Sequence, residues 1–348
     1  MTRPVIHYTR CPSVPTISAL AEAWGTLRAD FEEEHDVDIV FQSVGFSPKT
    51  EYDHKDRFWL RNAGHAPAIW KKSHGVDCKV VGLAFLDGRY PVLSLHSSGL
   101  AQPEALKGKR LAVFYNPDSP FDLMIAQQLK IYQTTLATVG LGLDDVELVR
   151  IPRTFPSRGE RQSFLLAGFQ SALAALEEGI VDAVAASIPP DGGLYPRLNV
   201  VYDTRLAPDL ISRVHPSVLR GLVVSTALIE EQRDLLVRIV ATLVRTAERA
   251  ATQPLDALRA LATDLGQAPE NLAAVYENIA QGIRLDLNDD YVATLDAQKT
   301  FLLRQGLIKK DFDLESWIDR SILADATALA QRAPQNAAVF EQTHPQPV

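Results

Sequence analysis

Cys11 stands in the stretch IHYTRCPSVPTIS (residues 6–18), where an apolar, strand-like run breaks into a Pro-punctuated turn. Arg10 precedes it and a helical pattern follows. A neighbouring cation and a helix N-terminus both favour thiolate over thiol, which is the form that attacks electrophiles. Cysteine is also a small buried hydrophobe in many cores, and position alone leaves both roles open for Cys11. For Cys78, which opens the apolar run CKVVGLAFL, the structural role is the better reading.

A second group lies in EYDHKDRFWLRNAGHAPAIW, residues 51–70. The stretch is polar and aromatic without a clean period, which reads as a long loop leading into a helix. Arg61 and Gly64 are spaced R-x-x-G, so a guanidinium and a closely approachable backbone amide can face one anionic oxygen. His54 titrates near neutral pH and suits proton transfer or pairing with a thiolate.

Other chemistries find little support. The G-x-G in VGLGLDD opens no dinucleotide motif, and neither a P-loop nor G-x-S-x-G occurs. The eight histidines and two cysteines fall in no metal-ligand spacing, so neither metal nor cofactor is expected. A net charge of −8, with no compensating basic run, argues against nucleic acid as a partner. No apolar stretch reaches the roughly 18 residues of a membrane span. The N-terminus enters a strand-like run at once, with no apolar leader, and the expected location is the cytoplasm, where two free thiols are the default.

The elements that must position these residues alternate as β-α-β through most of the 348 residues. Strand patterns fall at 5–9, 38–44, 78–86 and 90–96, with a helix over 17–34, which points to an α/β fold with a largely parallel sheet. Ser119, followed by Pro120, is the expected N-cap of the next long helix. VELVRIP, FQSALAALEEGI and VDAVAASIP continue as strand, helix and strand; LNVVYDTR (198–205) and GLVVST (221–226) are the last strands. Apolar pairs at 235/236, 239/240 and 243/244 then mark one face of a helix, and helical patterns run to about residue 330. The expected organisation is a discontinuous lobe I (1–104 and 200–335, with the C-terminal helices), an inserted lobe II (105–199) and a loose tail at 336–348. In such two-lobed folds a ligand sits in the crevice between lobes, at strand C-termini and helix N-termini, and Cys11 falls there.

Taken together, Y-x-x-C-P at Tyr8–Pro12 and R-x-x-G with APAIW at Arg61–Trp70 resemble the aryl sulfinate desulfinase family, whose type activity is that of 2'-hydroxybiphenyl-2-sulfinate desulfinase. ALKGKRLAV, ALAALEEGIVDAV and TFLLRQGLIKKDFDLESWIDRSIL extend the resemblance along nearly the whole chain; these are shared with the broader SsuA/THI5-like superfamily. The resemblance implies a two-lobed periplasmic-binding-protein-like (type II) fold. It implies a cofactor-free hydrolase that releases sulfite from a small aromatic anion and works as a monomer. By position, Cys11 matches the essential cysteine, and Arg61 and Gly64 match the sulfinate-holding pair. The family's histidine position is Glu51 here, with His54 the nearest histidine. A carboxylate at 51 repels an anionic sulfinate unless protonated or paired. A solute-binding protein of an importer, or a same-fold enzyme acting on another aromatic acid anion, remains an alternative.

Overall fold

Residues 5–10, 14–32, 38–43, 56–153, 161–186 and 197–332 are described in the structure, a computed structural model. Strands β1 (Val5–Arg10), β2 (Asp38–Ser43), β3 (Trp59–Gly64) and β4 (Cys78–Phe85) share one sheet with β10 (Leu219–Ser225), in the order β2-β1-β3-β10-β4. β1 runs parallel to β2 and β3, as the β-α-β pattern predicts. β10 lies antiparallel between β3 and β4, which makes the sheet mixed rather than largely parallel. The chain leaves this sheet after β4 and returns to its middle through β10.

The intervening residues build the second lobe. β5 (Pro91–Leu95) is flanked by β8 (Val184–Ala185) and β9 (Leu198–Asp203). β6 (Arg110–Tyr115) pairs in parallel with β7 (Glu147–Pro152), and a Leu111–Ala183 bridge joins this pair to β8. Two segments pass between the lobes, after β4 and before β10. Asp87 in the first and Arg213 in the second form an ion pair of 2.7 Å.

Three local expectations change. The pattern over 17–34 gives two helices, Ile17–Ala23 and Thr26–Glu32, because Gly25 turns the chain at φ +69°. The long helix Leu123–Ala137 is capped by Asp122, whose carboxylate accepts from the N–H groups of Met124 and Ile125; the Ser119 hydroxyl donates to the carbonyl of Phe121. The stretch read as a loop contains β3, all six residues of which are buried. The helix Arg233–Thr252 buries Leu235, Leu236, Ile239, Val240 and Leu243, and packs against both N-terminal helices and Arg320–Arg332.

Candidate ligand-binding site

Parallel β1 and β3 end at the same edge of the central sheet, with Arg10 opposite Asn62. β10 starts there, its Arg220 opposite both Gly64 of β3 and Ala84 of β4. This edge, facing the second lobe, is where an α/β crevice holds its ligand. Cys11 follows directly on Arg10 in the chain; Cys11, Glu51 and His54 lie outside the described residues.

Arg61 and Gly64 do come together. Arg61 is 3% exposed, and its Nη1 donates to the carbonyl of Gly64 at 3.1 Å. Gly64 begins the helix His65–Ser73, and a Cβ added to it would sit 2.8 Å from the carbonyl oxygen of Pro216. Glycine is therefore required here by a close backbone approach from the segment that leads into β10.

The cation beside Cys11 is already engaged. Arg10 donates to both carboxylate oxygens of Asp264, at 2.9 and 2.5 Å, and to Glu22. A guanidinium paired with two carboxylates contributes little net positive potential to its surroundings. Asn62 also faces inward: its Oδ1 accepts from the Ser18 hydroxyl at 2.9 Å and from the Ser18 N–H. Cys78 is buried, and its sulfur accepts the indole N–H of Trp317 at 3.4 Å, in keeping with a structural role.

Three residues beyond the candidates named from the motifs converge on the same edge. His65 is 1% exposed; its Nδ1 lies 3.0 Å from the carbonyl of Leu219 and its Nε2 3.1 Å from Oε1 of Gln298. Burial pushes its pKa down to about 4 against the two acceptors, with the positive charge of Arg220 adding to the depression. His215 is 1% exposed and stands edge-on to Tyr90. Burial, then the charge of Arg220, holds it well below the usual histidine range, so its ring is neutral. Its Nδ1 accepts the N–H of Ser217 at 3.3 Å, which leaves the ring proton on Nε2.

Arg220 is 1% exposed. Residues directly opposite one another in adjacent strands point to the same face, so Arg220 emerges between glycine and alanine, with Arg61 on the other face opposite Val223. Its sequence signal was a lone charge at the head of an apolar strand; a strand beginning at Gly221 leaves that residue out.

Among the described residues no group of three metal-ligating side chains occurs. An open groove of about 770 Å³ lies elsewhere, between Asp289 and Arg320, where Lys299 already binds Asp296 and Asp311.

No family model and no curated protein matches the chain. Solved structures do. The desulfurization enzyme DSZB superposes with a TM-score of 0.75 at 21% identity, over 94% of this chain and 99% of that one. A mutant of the same enzyme in complex with biphenyl-2-sulfinic acid gives 0.74 at 20%, with the same coverage of both chains. The periplasmic aliphatic sulphonate binding protein SsuA from Escherichia coli gives 0.63 at 17%, over 93% and 100%. The chain thus has the two-lobed, type II periplasmic-binding-protein fold, in a form that serves both an enzyme and sulfonate-binding proteins.

Proposed function

We propose that the protein is a desulfinase-like hydrolase that cleaves the carbon–sulfur bond of a small aromatic sulfinate. The observation that carries this reading is the joint occurrence of two likenesses. The chain is similar to DSZB over nearly the full length of both chains, and it has the Y-x-x-C-P and R-x-x-G motifs at the ends of adjacent parallel strands.

The overall reaction is R–SO2⁻ + H2O → R–H + HSO3⁻. Two routes through Cys11 balance. In one, the thiolate bonds to the sulfinate sulfur, the carbon–sulfur bond breaks and the ring carbon takes a proton. Water then cleaves the sulfur–sulfur bond, giving bisulfite and restoring the thiolate. In the other, the thiol protonates the ring carbon as sulfur dioxide leaves; water hydrates the dioxide, and a proton returns to sulfur. His54 serves as the proton exchanger in either. Glu51 sets specificity at the place of the family histidine.

The test is sulfite release from a panel of aryl sulfinates by the purified protein, beside Cys11→Ser. Release by the parent and none by the variant supports the reading. Saturable binding of sulfonates by both, with no sulfite from either, replaces it with a solute-binding protein, the reading favoured by the likeness to SsuA.

A further inference from the structure

Arg220 is a fully buried guanidinium whose Nε, Nη1 and Nη2 all lack a hydrogen-bond partner among the described residues. No carboxylate of those residues forms an ion pair with it, whereas Arg10, Arg89, Arg205 and Arg213 each have at least one. The Nε2 of His215 is likewise buried without a partner. The neutral His215 ring carries its proton there, because Nδ1 accepts from Ser217. The guanidinium has five N–H groups and no acceptor. The unmet hydrogen-bonding capacity of this pair therefore consists of donors alone, beside a fixed positive charge. An unpaired charge and unsatisfied donors are among the most costly things to bury, and they persist where a ligand of opposite character completes them.

The surroundings fit such a ligand. Arg220 emerges between Gly64 and Ala84, the small residues opposite it on both neighbouring strands, so no bulky side chain from either strand lies directly across from it. The segment carrying His215 is the second passage between the lobes; Ser217 on it donates to Gln127 of the second lobe at 2.5 Å. His65, on the other side, is held to Leu219 and Gln298 and is buried neutral, so it adds no second full charge. A metal cation is excluded by the sign of Arg220, and a neutral ligand would leave the charge uncompensated.

We propose that Arg220 and His215 form an oxyanion-binding site at the inter-lobe edge of the central sheet, with Arg220 as the cation and the Nε2–H of His215 as a second donor. The bound group is an oxyanion; that it is of the sulfinate, sulfonate or sulfite type rests on the function proposed above. It comes either as the head group of a larger aromatic ligand or as the free inorganic ion. The site rests on these residues alone and holds for an enzyme or a binding protein. It places the anion on the sheet face opposite Arg61.

The experiment is calorimetric and thermal titration of the full-length protein, at low salt in a sulfonate-free buffer, with sodium sulfite, sodium sulfate and sodium benzenesulfinate. Arg220→Gln, Arg220→Lys, Arg220→Met and His215→Gln are run alongside. At least one probe is expected to raise the melting temperature of the parent saturably. Arg220→Gln should weaken that binding at least 100-fold and His215→Gln about 10-fold, with Arg220→Lys intermediate. Without anion, Arg220→Met should melt no lower than the parent, since it removes a buried charge that nothing opposes. Binding of sulfite assigns the site to the free ion, and binding of benzenesulfinate alone assigns it to a head group. Absence of binding by all three probes, or equal affinity in the parent and Arg220→Gln, overturns the proposal. A lower melting point for Arg220→Met without anion overturns it as well. None of these readouts needs turnover, so loss of the desulfinase reading would leave them unchanged.

Discussion

Acid should loosen this fold through His65, and the size of the effect can be worked out. The ring is buried between the carbonyl of Leu219 and the amide of Gln298. Both partners present oxygen and favour the imidazolium. Desolvation opposes them and wins, reinforced by Arg220, leaving a pKa of about 4 in place of 6.5. In the native protein the ring therefore stays neutral well below pH 6, while in the unfolded chain it protonates near its ordinary value. Between those two pH values the unfolded state binds more protons, so stability falls as pH falls. At about 1.36 kcal/mol per pH unit, the whole interval is worth about 3 kcal/mol, of which about 2 kcal/mol is lost by pH 5. Below pH 4 both states carry the proton and the loss is complete. His215 is depressed in the same direction and steepens the trend. Urea unfolding at pH 7, 6 and 5 measures it, with His65→Gln as the comparison, since glutamine can still donate to Leu219. The parent should lose about 2 kcal/mol more than the variant between pH 7 and 5. Parallel curves, or a His65 pKa at or above 6.5 by NMR titration, would show that the two acceptors outweigh burial, and the reasoning would fail.

Two further outcomes follow from contacts at the same edge. Gly64→Ala places a methyl group 2.8 Å from the Pro216 carbonyl and must displace the segment that carries His215; we expect a loss of about 1–3 kcal/mol in urea unfolding, and an unchanged midpoint would disprove the close approach. Asp264→Ala leaves the partly buried Arg10 with Glu22 alone. It should cost about 3 kcal/mol, and a change below about 1 kcal/mol would mean that Glu22 suffices.

Periodicity made much of this architecture legible. The runs at 5–9, 38–44 and 78–86 are the observed β1, β2 and β4 to within a residue or so, and in β1 and β4 their apolar side chains enter the core. β3 was hidden by its own buried polar residues. Trp59-Leu60-Arg61-Asn62-Ala63-Gly64 carries two buried polar side chains: Arg61 donates to the Gly64 carbonyl of its own strand, and Asn62 bonds to the distant Ser18 and the Gly221 carbonyl. No alternation rule anticipates such partners. The direction of β10 was equally unreadable, since a strand's pattern states which residues are buried but not which neighbours it joins. The nearness of Arg61 to Gly64 was readable from their spacing. Arg220, His65 and His215 were not, as their meaning lies in what surrounds them rather than in any motif. Cys78 was read correctly as structural from the apolar run it opens.

The position of β10 governs how the chain can reach this structure. β3 and β4 are not paired with each other; each is paired on one side by a strand that begins at residue 219, more than 130 residues after β4 ends at Phe85. During synthesis both would wait as open edges while the second lobe, continuous in sequence from β5 to β9, emerges behind them. Closing so long a loop makes this a late and slow step. The central sheet, and with it Arg220 beside Gly64, thus comes into being last, so a chain stopped before residue 219 should expose two templates for misassembly and hold no anion.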